Sequence, residues 1–125
     1  MKFRILAGAM PALAPVAATA MPVSTFLTKA DKLQSKGPLA MFSGDLRLLM
    51  GQIKTDAGEL RAENKAAEAA GRPKAYCTAP GGVRMSNRDI LSAMNAVPPA
   101  QRARTSTKDA LRAYFARGFP CPVKA

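Results

Sequence analysis

The side chains on which most hydrolytic and metal chemistry depends are nearly absent from this chain. It contains no histidine, so neither a Cys–His nor a Ser–His nucleophile can be assembled, and the usual zinc sites are excluded as well. No serine has a lysine in the S-x-x-K spacing that would supply an alternative base. The residue types therefore predict a protein that is not an enzyme and that uses no metal and no cofactor.

Two glutamates are the strongest remaining candidates for chemistry. Glu59 and Glu63 are one helical turn apart, so they can share one face and could act as an acid–base pair or bind a hard cation. A solvated helix face explains the same spacing, and we favour that interpretation. Asp89 and Asp109 each follow a serine at the spacing of a helix cap.

Cys77 and Cys121 are the only two cysteines of the chain. In an oxidising compartment such a pair predicts one disulfide, and the alternative of a catalytic thiol lacks a histidine partner. The bond would close a loop of 45 residues, counted inclusively from 77 to 121. In the chain-entropy model, a loop of that length contributes about 4 kcal/mol to the free energy of unfolding.

Four arginines are the predicted partner-binding residues: Arg84, Arg88, Arg102 and Arg104. The first two flank the start of one predicted helix, and the other two lie in the loop before the next. Arg112 and Arg117 lie on the last predicted helix. If the disulfide brings the two halves of this region together, several of these six arginines could cluster at one end of the domain. Arginine is enriched at protein interfaces because its planar guanidinium group binds carboxylates through two hydrogen bonds.

The elements that must position these residues are helices separated by proline and glycine. In the first helix Ser24 or Thr25 is available as the N-cap, and Gly37-Pro38 ends the apolar pattern. The second and longest pattern begins after Ser43 and ends before Gly71-Arg72-Pro73. The apolar residues that recur at helical spacing are Val23, Phe26, Leu27, Ala30 and Leu33 in the first helix and Leu46, Leu49, Met50, Ile53, Ala57, Leu60 and Ala67 in the second.

The long helical pattern has two irregular features. Gly44, Gly51 and Gly58 recur at seven-residue spacing, and each costs about 1 kcal/mol relative to alanine inside a helix. A regular set of small residues lets a second helix approach closely, so one hypothesis is a homodimer seam, and chance spacing is the alternative. Asn64 is the one polar residue that falls on the apolar stripe.

Two shorter helices are predicted in the C-terminal half of the chain. Ser86-Asn87-Arg88-Asp89 and Ser106-Thr107-Lys108-Asp109 both have the pattern of a capping box, with aspartate in place of glutamate. Pro98-Pro99 separates the two helices, and Gly118 is placed to end the last one. No segment alternates with period two, so a sheet is not expected. The sequence predicts an all-α fold, a small helical domain of four or five helices with one disulfide.

Residues 1–20 have the organisation of a secretory signal peptide. Lys2 and Arg4 form a basic start, an uncharged stretch follows from Ile5 to Ala17, and Ala18-Thr19-Ala20 provides an A-x-A cleavage site. A buried N-terminal helix is the alternative. Cleavage after Ala20 predicts a mature chain, residues 21–125, that forms a single helical domain. We expect it in the periplasm, with full secretion from the cell as the other destination of an exported chain.

The chain carries a large excess of positive charge. Removal of Lys2 and Arg4 takes two of the 19 basic residues away, and the 17 that remain face 8 acidic ones, for a net charge of +9. This charge favours acidic partners such as anionic lipid headgroups, envelope phosphates or an acidic protein surface, and a solvated basic surface is an equally good interpretation. Nucleic acid is not expected, because the chain is exported and has few aromatic residues for base stacking.

The segment from Tyr76 to Cys121 resembles a known family. An aromatic residue precedes Cys77, a Pro80-Gly81-Gly82-Val83 turn and a short amphipathic helix follow, and a proline-containing break leads to a last helix that ends in Phe119-Pro120-Cys121. This order is similar to the C-terminal part of the Rap/Tai family of bacterial periplasmic immunity proteins. The resemblance implies a small, exported, mostly helical protein that dimerises and blocks a cell-wall amidase delivered by type VI secretion.

The charge of the chain and the family resemblance support two different functions. The leading expectation is a periplasmic immunity-type inhibitor whose protein partner is a secreted cell-wall amidase. The alternative is a cationic envelope protein that binds anionic lipid or cell-wall polymer. The residues that carry the resemblance look structural and do not identify a target; they are Tyr76, Cys77, Pro80, Val83, Phe119, Pro120 and Cys121.

Overall fold

The computed structural model describes residues 20–79 and 81–122, and these residues form helices without any strand. The four α-helices are α1 (Val23–Ser35), α2 (Gly44–Ala69), α3 (Asn87–Asn95) and α4 (Thr107–Gly118), and the two 3₁₀ segments are Gly37–Phe42 and Pro99–Gln101. The predicted all-α fold with one disulfide is confirmed. The predicted signal peptide lies, apart from Ala20, outside the described residues.

Three of the four helices begin at a serine, as their sequences predict. The Ser43 hydroxyl accepts a hydrogen bond from the Asp45 amide at the start of α2. At α3 the cap is reciprocal, because the Ser86 hydroxyl accepts from the Asp89 amide while the Asp89 carboxylate accepts from the Ser86 amide. The Ser106 hydroxyl accepts from the Asp109 amide at the start of α4. These caps satisfy amides that have no partner inside their own helix.

The start of α1 differs from the prediction. Neither Ser24 nor Thr25 is the N-cap; that position belongs to Pro22, whose side chain offers no acceptor. Instead, the Val23 and Ser24 amides donate to the carbonyls of Thr105 and Arg102, at 2.8 and 3.0 Å. The expected cap was wrong because a distant loop supplies the acceptors that a local side chain would otherwise provide.

α1 is the helix against which the others are arranged. It packs against α2, α3 and α4, and α4 in turn packs against α2 and α3. Within the described residues, no Cα of α3 comes within 8 Å of a Cα of α2. The most deeply buried side chains come from all four helices and are Val23, Leu60, Met94, Thr107 and Leu111. α2 and α3, whose backbones stay apart, are therefore joined through a shared core.

The long connection between α2 and α3 is held in place by side chains of the helices. Cys77 and Cys121 form a disulfide, and the Cys77 amide donates to the Phe119 carbonyl at 2.8 Å. The Asn64 amide group donates to the Tyr76 carbonyl at 2.9 Å and accepts from the Ala75 amide. Asn64, the one polar residue on the apolar stripe of α2, therefore holds this connection against the helix through two hydrogen bonds.

One carboxylate is buried in the interface between α2 and α4. Asp56 accepts hydrogen bonds from the Thr107 hydroxyl and from the Gln52 side chain. Burial raises the pKa of Asp56 above its ordinary value of 3.8, and the two hydrogen bonds oppose that rise. Because the folded-state pKa is the higher one, this group lowers the stability of the fold as pH rises from about 4 through the raised pKa.

We expect replacement of both cysteines, C77S/C121S, to lower the free energy of unfolding by about 2–4 kcal/mol, because the closed loop no longer restricts the unfolded chain. Urea denaturation of residues 21–125 measures this loss. The matched control is A75S/A79S, which changes two exposed residues in the same connection. Equal stability of the two double variants would contradict the prediction.

We expect Thr107→Val to lower the free energy of unfolding by about 1.5–3 kcal/mol at neutral pH, because a buried hydrogen bond to a carboxylate is lost. The same change raises the pKa of Asp56 further, so the loss should be smaller near pH 4 and grow with pH. Urea denaturation between pH 4 and 7 tests both statements. Thr28→Val is the control, since its hydroxyl is exposed and donates to the Ser24 carbonyl of its own helix. Equal, pH-independent losses in both variants would refute this role of Thr107.

Candidate protein-binding surface

The predicted partner-binding arginines lie in two different places. Arg88 is in the first turn of α3, and Arg84 precedes that helix; both side chains are exposed. Arg102 is engaged within the fold, because its guanidinium group donates to the Val97 carbonyl at 2.8 Å and to the Asn95 carbonyl at 3.1 Å. These carbonyls lie at the end of α3, where a helix leaves acceptors without a partner.

The structure does not bring the four arginines together at one end of the domain. α3 lies between Arg88 at its start and Arg102 at its end, and a helix of this length spans about 13 Å. Arg104 is exposed beside Arg102. Arg88 and Arg102 are apart because Arg88 lies at the start of α3, whereas Arg102 binds carbonyls at its other end. The partner-binding role of the four arginines stays a prediction.

The two glutamates considered for chemistry are paired with basic side chains of α4. Lys108 contacts both Glu59 and Glu63, and Arg112 donates to Glu63 at 2.9 Å and also to Asp109. The hydrogen bond from Lys108 is the main cause that holds the pKa of Glu63 below its ordinary value. Glu63 therefore keeps its negative charge near neutral pH, and this charge is used to join α2 to α4.

The disulfide lies near the C-terminal end of α2, beside an open depression of about 580 Å³. The lining residues include Glu68, Arg72 and Lys74 together with the two half-buried cysteines. The thiols are both consumed in the bond. Among the described residues, no group of three or more acidic or cysteine side chains is placed to hold a metal ion.

An apolar groove opens between α2 and α3, and we call it the α2–α3 groove. It exists because both helices pack on α1 without approaching each other, and its volume is about 180 Å³. Buried side chains of α1 form its floor, and its walls come from the facing sides of α2 and α3. The apolar lining residues are Phe26, Ala30 and Leu33 in α1, Leu46, Leu49, Met50 and Ile53 in α2, and Ile90 and Leu91 in α3.

A second apolar feature lies in the 3₁₀ segment between α1 and α2. Leu39, Met41 and Phe42, which we call the apolar tip, are 71 %, 78 % and 88 % exposed. Only Ala40 of this segment packs against the core. Met50, which lines the groove, is also 49 % exposed. Several large apolar side chains left in water mark an interaction site more often than a solvated surface.

Sequence reasoning missed both apolar features. The signal for the apolar tip is the run Leu39 to Phe42, which is apolar but lies between Gly37-Pro38 and the Ser43 cap, outside either helical stripe. No local signal reports the groove, because it depends on the distance between two helices that are far apart in sequence. The stripe Gly44, Gly51 and Gly58 is exposed, and nothing in the described chain packs against it. The homodimer hypothesis built on it stays a prediction.

Comparisons of the chain with protein families, with characterised proteins and with solved structures find no match. In the part of the chain that the structure describes, no helix is both long and apolar enough to cross a membrane. The surface described above therefore has to be interpreted from its own geometry and chemistry.

We expect Arg102→Ala to lower the free energy of unfolding by about 1–2 kcal/mol, because two carbonyls at the end of α3 lose a charged donor. Arg104→Ala is the matched control, an exposed arginine two residues away, and it should change stability by less than about 0.5 kcal/mol. Thermal and urea denaturation of residues 21–125 compare the two variants. Similar stabilities would show that Arg102 has no structural role.

Proposed function

We propose that this protein is an exported, immunity-type inhibitor that binds a secreted cell-wall amidase and covers its cleft. The observation that carries the proposal is the presence of two apolar features on one small domain, the exposed apolar tip and the α2–α3 groove. In this small helical domain the two cysteines are joined in the disulfide, Glu59 and Glu63 are paired with basic side chains of α4, and no group of three metal-ligating side chains occurs among the described residues. The two apolar features are suited to a protein partner.

Rigidity of the domain supports an inhibitory role. The disulfide fixes the connection before α3 to the end of α4, and the ion pairs of Glu59 and Glu63 join α2 to α4. A binding protein that is already ordered loses little conformational entropy when it docks, so more of the interaction energy appears as affinity.

Three features of the sequence support the location and the class of partner. The predicted signal peptide directs the chain out of the cytoplasm, and a disulfide is stable in an oxidising compartment. The resemblance of residues 76–121 to the Rap/Tai family favours a cell-wall amidase as the enzyme that is inhibited. The resemblance also favours a homodimer as the binding form.

One observation favours a second candidate function, a cationic envelope protein that binds anionic lipid. The apolar tip is flanked in sequence by Lys36 on one side and Arg47 on the other, in a chain whose net charge is +9 once the predicted signal peptide is removed. Exposed apolar side chains beside basic ones can enter the surface of an anionic bilayer. Binding of this kind weakens steeply as salt rises, because exposed charges are screened over about 8–10 Å.

We expect immobilised residues 21–125 to retain, at high salt, one protein from the envelope and secreted fractions of the source, and this protein should cleave peptidoglycan amide bonds. One equivalent of residues 21–125 should abolish that activity. M41S/F42S should weaken the inhibition at least about tenfold, because central apolar side chains carry most of the affinity at an interface. A62S/A66S, two exposed alanines of α2, is the control and should inhibit normally.

Two results would overturn the proposal. Capture of anionic lipid or polymer that disappears as salt rises would establish the cationic envelope function instead. Capture of an amidase that M41S/F42S inhibits as well as the unchanged protein does would remove the apolar tip from the binding surface.

A further inference from the structure

We propose that the α2–α3 groove binds an amphipathic helical segment of the partner, one whose apolar stripe is flanked by carboxylates. The inference rests on the proposed function, since it names the chemistry of the partner at the same surface. It is carried by three properties of the groove: its apolar lining, its length along α2, and the charges along its edge.

The lining of the groove is complementary to apolar side chains. Its floor is the buried face of α1, and its only polar lining residues among those described are the neutral amides Gln34 and Asn87. A carboxylate or a phosphate inside the groove would lose its hydration without gaining a charged partner, which is unfavourable. The interior therefore takes aliphatic or aromatic groups.

The dimensions of the groove fit one face of a helix. On α2 the lining residues run from Leu46 to Ile53, a distance of about 10 Å along the helix, or two turns. A volume of about 180 Å³ takes a few side chains but not a whole helix. A helix lying across the opening would therefore insert side chains at i, i+3, i+4 and i+7, as in other helix-in-groove complexes.

The edge of the groove is basic on both sides. Arg47 and Lys54 lie one turn before and one turn after Met50 on α2, and Arg88 lies three residues before Leu91 on α3. All three are exposed, and none of them forms an ion pair with another described residue. The acidic residues close to them in sequence have partners elsewhere: Asp45 is paired with Lys29, Asp56 is buried against Thr107, and the Asp89 carboxylate accepts from the Ser86 amide. Carboxylates on either side of an apolar stripe complement this arrangement.

Charge and shape together favour such a segment over the other occupants. A second copy of this chain would bring its own net positive charge, and its apolar tip is flanked by Lys36 and Arg47. A flat bilayer cannot reach a floor that lies between two helices. A helical partner segment with acidic residues beside its apolar stripe both complements the basic edge and reaches the floor of the groove.

The test is fluorescence anisotropy with a labelled 18-residue helical peptide that has leucines at i, i+3, i+4 and i+7 and glutamates on both flanks. We expect residues 21–125 to bind this peptide at least tenfold more tightly than the same peptide with lysines in place of the glutamates. Met50→Asp, a change at a half-exposed position, should weaken binding at least tenfold. Circular dichroism of Met50→Asp checks that the variant keeps the helical content of the unchanged protein.

A charge reversal at the groove edge tests the preference independently of stability, because both peptides are then measured on the same variant. R47E/K54E should invert the preference, so that this variant binds the lysine peptide more tightly than the glutamate peptide. K65E/R72E makes the same change of net charge at exposed positions outside the groove and should keep the original preference. A preference that does not depend on Arg47 and Lys54 would refute the role of the basic edge.

The outcomes separate this inference from the proposed function. If the glutamate peptide does not bind while residues 21–125 still capture and inhibit an amidase, the groove assignment is wrong and the inhibitor function stands. If the peptide binds as expected and no amidase is captured, the groove is a peptide site and the inhibitor function falls. Binding of phosphatidylglycerol vesicles that Met50→Asp weakens, without peptide binding, would assign the groove to lipid and overturn the inference.

Discussion

Main-chain hydrogen bonds from the loop before α4 fix the first turn of α1, and the rest of the fold depends on this arrangement. The Val23 and Ser24 amides donate to that loop, and the Thr107 amide donates back to the Met21 carbonyl at 2.9 Å. Arg102, in the same loop, binds the end of α3 through its side chain. One short segment therefore sets the directions of α1, α3 and α4 together. Because α1 is the floor of the α2–α3 groove, the same segment also determines where that groove lies.

The groove is a consequence of how α2 is held. Its first half packs on α1, and its second half is joined to α4 by packing, by ion pairs and by the buried Asp56–Thr107 hydrogen bond. Because α1 and α4 hold α2 at both ends, the backbone of α2 stays more than 8 Å from that of α3. Apolar area left open to water forgoes stabilisation of about 25 cal/mol per Å². The disulfide offsets part of this loss, so the fold can keep an unfilled apolar surface and remain stable.

Much of the fold could be predicted from the sequence, because its signals are local. Serine and aspartate at fixed spacing predicted the starts of α3 and α4, and two cysteines in a chain with a predicted signal peptide predicted their pairing. The parts that could not be predicted depend on distant partners. In the sequence Asp56 looks like an ordinary exposed helix residue, and only the fold shows that it is buried against Thr107 of α4. In the sequence Arg102 looks like an ordinary exposed arginine; only the fold shows that it binds carbonyls at the end of α3. The groove can be recognised only from the distance between α2 and α3, which the sequence does not give.

The disulfide divides the chain into a covalent ring and an open arm. The ring, from Cys77 to Cys121, contains α3 and α4, whereas α1 and α2 belong to the arm that precedes it. When the arm detaches during partial unfolding, the ring stays closed, and the two walls of the groove separate because one belongs to each part. A ligand in the groove would therefore contact both the arm, through α2, and the ring, through α3. A ligand that binds only when both parts are in place would oppose their separation by its binding energy.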